Sequence, residues 1–282
     1  MTFGTADITG LPEPPFHRWF MPDGSTWAEF HRQGNDYLIR FPGVANFCIS
    51  GDGKIISSLA ASGVSRQTVE HLHLNQILPL ALSRQYKLVL HGGAVVMAGE
   101  AVAFLGRSGQ GKSTLTASLA SGGFPFLTDD GLQLVLEGNR YFAQPSHPSI
   151  RLWDDSREQL LPTSTLAPPV DYTPKARLLA GSEVPHCNEP RPLKAVYFLG
   201  EGNCNKVTIV PHGGRDAVIE LVRHSFLLDI DERDMLTRHF GQLTALASKP
   251  MFFSLDYPRD YARLPQVRDA IIRHAESLPV AG

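Results

Sequence analysis

The sequence predicts an α/β fold built on a phosphate-binding loop, with a β-rich region ahead of it. Three observations predict it. The stretch GRSGQGKSTL, Gly106 to Leu115, carries the Gly-x-x-x-x-Gly-Lys-Ser pattern of a phosphate grip. It lies between an apolar β-rich run and a helix-forming run, and a second apolar run ending in Asp129-Asp130 follows. Short β-rich runs punctuated by turn signals fill much of the chain before residue 60.

Taken in order, the first twenty residues carry Pro12, Pro14 and Pro15 and read as an extended arm. Strands are expected near 26–31, 37–41, 47–50 and 54–59, separated by Gly34-Asn35, Pro42-Gly43 and Gly51-Asp52-Gly53, which makes an antiparallel meander. Ser65 then offers an N-cap, and Val69, Leu72, Ile77, Leu80 and Leu82 recur near the helical period, predicting one amphipathic helix that ends before Lys87 in spite of Pro79. The run KLVLHGGAVVMAGEAVAFLG reads as two strands about a Gly99-Glu100 turn, the second feeding the loop. A helix over 113–121 stops at Gly122-Gly123, and FPFLTDD is a short strand ending in two carboxylates. Strand, loop, helix and strand in this order predict a βαβ unit whose second strand returns parallel beside the first. Further strands are expected at 132–136, 196–199 and 207–211, and helices at 214–224, 231–247 and 264–277. The Pro-rich, aperiodic stretch 161–193, with Lys175 and Arg177, reads either as a lid or as a passive surface loop. The domains expected are an N-terminal β-rich accessory region with one helix over 1–85 and a P-loop catalytic domain over 86–282.

Composition narrows the partners. A net charge of −2 without a basic block argues against binding to nucleic acid or to an anionic membrane. Cys48, Cys187 and Cys204 are few and lack metal-type spacing, so reduced packing thiols are expected. The N-terminus has acidic residues and prolines where a signal peptide needs a basic start and an apolar run, which predicts a cytoplasmic protein.

The loop carries the chemistry. Its glycines let backbone N–H groups converge on an anion at a helix N-terminus, Lys112 reaches the outer phosphates, and the Ser113 hydroxyl ligates Mg²⁺. Cassette ATPases of transporters share the string, but their LSGGQ-like signature and Asp-Glu strand are absent, as is the Asn-Lys-x-Asp motif of GTPases. Asp129 and Asp130 remain: a carboxylate there can hold Mg²⁺ or accept a proton from an attacking hydroxyl, and two permit both. His91 closes the strand before Gly92-Gly93, where it is either packed or catalytic.

The segment HGGAVVMAGEAVAFLGRSGQGKSTLTASLASGGFPFLTDD resembles the catalytic core of bacterial HPr kinase/phosphorylase, and VTIVPHGGRDAVIELV resembles that family's Pro-Gly-Arg-Asn segment with its following helix. The resemblance spans roughly 86–225 and implies a P-loop core of the HPr-kinase and phosphoenolpyruvate-carboxykinase type. It implies that Gly106, Ser108, Gly109, Gly111, Lys112, Ser113 and Thr114 bind ATP and that Ser113 and Asp130 hold Mg²⁺. It further implies that Asp129 is the catalytic base, that His91 bonds to and tunes it, and that Arg215 contacts phosphate or substrate. The family's Glu-x-Arg-Gly segment has its counterpart in SIRLW, where Ser149 replaces the glutamate and Arg151 is kept. That departure bears on the reverse, phosphorolytic reaction and on HPr as substrate rather than on kinase activity. RFPGVANFCIS, PSHPSIRLWDDS and YPRDYARLP are similar to the branch of HPr-kinase-like proteins found beside lasso-peptide tailoring genes. The function this implies is an ATP- and Mg²⁺-dependent kinase of a serine hydroxyl, C-terminal in a precursor peptide such as a lasso peptide, or in a small protein. A non-catalytic ATP-binding regulator and a kinase of a free small molecule stand beside it as alternatives. The expected partner is a peptide or small-protein substrate, and a homo-oligomer is compatible with the chain.

Overall fold

The computed structural model of the protein describes residues 3–4, 14–21, 23–161 and 166–279. The chain divides into two compact units, Met1–Tyr86 with Pro168–Pro174, and Lys87–Ala167 with Lys175–Gly282. The sequence assigns all of 86–282 to the second domain. The segment Pro168–Pro174 instead belongs with the first, because Asp171 accepts hydrogen bonds from Ser65 and Thr68 side chains (3.1 and 2.7 Å) and Tyr172 packs on Trp27 and His71.

The first unit is a meander. Its elements are β1 (Phe3–Gly4), β2 (His17–Phe20), β3 (Thr26–Gln33), β4 (Asp36–Phe41), β5 (Ala45–Ile49) and β6 (Ile56–Ala60), followed by α1 (Arg66–Leu72), a π-helical turn His73–Ile77 and α2 (Leu78–Arg84). The sheet order is β1-β6-β5-β4-β3-β2. Only part of the expected extended arm is described, and there His17–Phe20 pairs with β3 as an edge strand, its His17 and Trp19 rings packing on Phe30. The single expected helix is two. Pro79 has no N–H to give, and it stands where a new helix can begin without one, in the first turn of α2, just after the π turn. The Arg84 and Gln85 side chains at the end of α2 donate to Gly51 O and Gly53 O, both at 2.8 Å, which ties the helix to the β5–β6 turn.

The second unit comprises β7 (Leu88–Met97), β8 (Glu100–Leu105), α3 (Lys112–Ser121), β9 (Phe126–Thr128), β10 (Gly131–Glu137), β11 (Arg140–Ala143), β12 (Ser149–Leu152), α4 (Asp154–Leu160), β13 (Ala176–Leu179), β14 (Arg191–Leu199), β15 (Thr208–Pro211), α5 (Gly214–His224), α6 (Arg233–Ala247), β16 (Phe252–Asp256), a 3₁₀ turn Tyr261–Arg263 and α7 (Leu264–Ser277). The main sheet runs β11-β10-β7-β8-β14-β16-β15, and β11 also pairs with β14, so the sheet curls back on itself. All six residues of β8 are buried, and they alternate between two cores. Val102 and Phe104 face Leu115 and Leu119 of α3 and Val267 and Ile271 of α7, while Ala101, Ala103 and Leu105 face Ala217 and Leu221 of α5 and Leu243 and Leu246 of α6. A strand covered by helices on both sides reads as a continuous apolar run, as this one does.

Three expectations change. The β7–β8 turn is Ala98-Gly99, both at positive φ. The strand after α3 does not lie beside β8, whose two edges are taken by β7 and β14; β9 pairs antiparallel with the far edge of β7 instead. The stretch 161–193 is not free of structure either, since it contains β13, antiparallel to β12, and Cys187 N donates to Phe126 O at 2.8 Å. Among the described residues no helix is long and apolar enough to cross a membrane.

Candidate active site

Two features of β7 build the site. Its far edge is shared by β9, which pairs at Ala94 and Val95, and by β10, which pairs from Leu88 to His91. Between them the ladder opens at Asp129-Asp130, opposite Gly92-Gly93, and a single Gly92 N to Asp130 O bond of 3.1 Å spans the gap. A carboxylate pair is thereby set into the sheet's own edge, with 3% of Asp129 and 8% of Asp130 exposed.

The glycine-rich loop between β8 and α3 approaches from the other side of β7. Gly109 and Gly111 both stand at φ +87°, the left-handed region a side chain would strain, and no side chain caps the N-terminus of α3. Lys112 is buried, and its ammonium donates to Gly106 O (2.7 Å) and Arg107 O (3.0 Å) within the loop. Burial lowers its pKa to about 8, against the opposing pull of Asp130 and Asp129.

The two carboxylates differ. Asp129 Oδ2 accepts the backbone N–H of Arg151 at 2.9 Å, while Oδ1 is buried with no partner. Burial first, then the charge of Asp130, raises its pKa to about 6, with Arg151 and the Ser113 hydroxyl pulling the other way. Burial also pushes on Asp130, but the Arg151 guanidinium, at 2.6 and 2.9 Å from Oδ2, overrides it and holds the group at about 2. One side chain of β12 therefore separates the pair, its backbone serving one carboxylate and its guanidinium the other.

Several expected roles are redrawn by these positions. His91 responds to Asp130, not to Asp129 as the resemblance implies, because it stands opposite Gly131 in the ladder. Burial and then Lys112 lower its pKa to about 3, so it is a neutral imidazole at physiological pH. The Ser113 hydroxyl acts on Asp129, whereas Asp130, its expected partner at the metal, is occupied by Arg151. Arg215 is exposed in the first turn of α5 and does not line the cleft. That helix buries Ala217, Leu221 and His224, about one turn apart, and Arg215 lies off the stripe. The opposite end of α5 approaches the site instead: Lys112 is among the charges acting on the buried His224.

Ser108, Gly109, Gly111, Lys112, Ser113 and Thr114 line one cleft of about 360 Å³ together with His91, Asp130 and Arg151, whereas Gly106 and the more deeply buried Asp129 stand behind its lining. Sequence reasoning missed its remaining wall. Trp153, Tyr257, Arg259 and Tyr261 line it as well, although nothing in their spacing ties them to the loop, and Lys175 of the 161–193 stretch joins them. The motifs SIRLW and YPRDYARLP were the available signal, and they carried a resemblance without a role. Among the described residues no group of three or more His, Cys, Asp or Glu side chains gathers as a metal site.

No protein-family model matches the chain, and no curated protein matches it. Among solved structures it is similar to the Hpr(Ser) kinase/phosphatase from Coxiella burnetii, at 10% identity and a TM-score of 0.34, over 66% of this chain and 95% of that one. A likeness at that level transfers no residue's role.

Proposed function

We propose that the protein is an ATP- and Mg²⁺-dependent phosphotransferase that phosphorylates a serine hydroxyl of a peptide or small protein, with the C-terminal serine of a precursor peptide such as a lasso peptide as the favoured acceptor. The observation that carries the proposal is Asp129: a buried carboxylate with one unpartnered oxygen, its pKa raised to about 6, close enough to the lysine and serine of the glycine-rich loop to feel both. A general base works best when its pKa lies near the operating pH, and burial supplies that shift here.

The residues fit the groups they would hold. The uncapped amides at the start of α3, with Lys112, would take the phosphates, and Ser113 with Asp130, which Arg151 engages through Oδ2, would hold Mg²⁺, which when bound neutralises phosphate charge. Mg²⁺ keeps several waters and takes much of its coordination from phosphates, so a cluster of three protein ligands is not needed. Asp129 Oδ1 accepts the acceptor hydroxyl's proton. Arg151 keeps Asp130 charged and Asp129 oriented, and neutral His91 fills the space behind Asp130 without adding charge.

Incubation with γ-labelled ATP, Mg²⁺ and a serine-ended peptide tests the proposal, with Lys112→Ala as the control. Label on the peptide with wild type, reduced at least about a hundredfold in the variant, is the expected result. ATP binding with no label on any peptide would identify a sensor, and label on a free small molecule would identify the wrong acceptor class.

A further inference from the structure

The cleft has two chemically different ends. Lys112, Asp130 and Arg151 make one end charged, with the neutral His91 among them. Elsewhere in the lining Tyr257, Tyr261 and Leu264 cluster as rings and apolar surface. A triphosphate alone gives no reason for the second end.

We propose that this aromatic end is the base subsite of the nucleotide, and that it takes a purine stacked on Tyr261 and on the Arg259 guanidinium. The inference rests on the phosphotransferase reading and names its nucleotide class. The direction of the loop sets the order of the ligand's parts. The lysine of such a loop serves the outer phosphates, so these lie beside the carboxylates, and the nucleoside leaves the other way. Thr114, the first residue past Ser113, begins a chain of hydroxyls that leads there: Thr114 Oγ1 to Ser156 Oγ at 3.2 Å, Ser156 Oγ to Tyr261 OH at 2.8 Å, and Tyr261 OH donating to Asp155 Oδ2 at 2.8 Å. The chain holds the Tyr261 ring in place before any ligand arrives. In the same lining, the Arg259 guanidinium lies 3.9 Å from the centroid of the buried Tyr257 ring and donates to Tyr257 O. A planar cation fixed over an aromatic ring is a stacking surface for a base, and an aromatic ring is another. Tyr257 itself stands close against the loop, since a Cβ on Gly111 would come within 3.1 Å of its hydroxyl. The two stacking groups are thus indexed to the phosphate grip through Thr114 and through Gly111.

Calorimetric titration of Mg²⁺-ATP and Mg²⁺-tripolyphosphate against wild type, Tyr261→Leu, Tyr261→Phe and Arg259→Ala separates the inference from the reading beneath it. Tyr261→Leu and Arg259→Ala should each weaken ATP by about tenfold while leaving tripolyphosphate within about twofold, and Tyr261→Phe, which keeps the ring, should stay within about threefold for both. Arg259 is exposed, so its variant reports even if Tyr261→Leu fails to fold. Equal weakening of both ligands, or no change for ATP, overturns the base subsite while the phosphate grip stands. Failure of wild type to bind either ligand overturns the reading itself.

Discussion

Asp129 and Asp130 are adjacent in the chain and titrate in opposite directions, one pushed up to about 6 and the other held at about 2. Both are buried, so burial alone does not distinguish them; the Arg151 guanidinium on Asp130 does. The rate should therefore rise with pH through about 6 and then level, as the base loses its proton. Asp129→Asn should retain ATP binding and lose transfer by about two to four orders of magnitude, measured by nucleotide titration and single-turnover kinetics. Loss of Mg²⁺-ATP binding instead would make Asp129 a metal ligand, a role its approach to Ser113 also permits. Stability gives an independent reading. A carboxyl raised in the folded state favours folding while protonated, and that advantage disappears as pH rises through about 6. Asp129→Asn, which never ionises, should match wild type in denaturant melts near pH 4 and exceed it by up to about 3 kcal/mol at pH 8. A variant that is less active and more stable, only at the higher pH, separates a poised base from a structural carboxylate.

At the level of elements, β7 organises the site by lending one edge to two strands and one face to α3. Gly93 makes the second contact close. A Cβ there would run into the Thr116 hydroxyl of α3, which is buried without a hydrogen-bond partner, and would stand 3.5 Å from Thr128 O. Gly93→Ala should cost about 1–3 kcal/mol and push α3, with Lys112 at its start, away from the carboxylates. Thr116→Ala removes the obstructing atom, so the double variant should regain about 1 kcal/mol or more of that loss in a double-mutant cycle. Additive losses would mean that the crowding comes from backbone and not from Thr116.

At the level of the molecule, the first unit is completed by a segment from far along the chain. Asp171 accepts from Ser65 N (3.2 Å), Ser65 Oγ and Thr68 Oγ1 at the start of α1, and Tyr172 hydrogen-bonds His71. A fragment beginning at Lys87 would leave Asp171 and Tyr172 without these partners. Limited proteolysis should cut that fragment within 168–174 much faster than the full chain. Equal rates would show that the segment holds its shape without residues 1–86.

Residues adjacent in sequence could declare the loop, the helix after it, the paired carboxylates and most of the strands, because those depend on local period, glycine at positive φ and short-range spacing. The periodic pattern reads as one helix through Pro79 and shows no strand at 176–179, because the π turn before Pro79 and the pairing of β13 with β12 are not local-period features. Tertiary structure alone decided which carboxylate takes the Arg151 guanidinium and which only its backbone N–H, since Arg151 arrives from β12, and it alone set His91 by Asp130 and left Arg215 exposed on α5. It also brought Tyr257, Arg259 and Tyr261 to the loop from the other end of the domain. The division has one physical cause: backbone conformation follows from neighbours within a few residues, whereas a pKa, an ion pair or a cleft wall depends on which distant side chains the sheet order brings within a few ångströms.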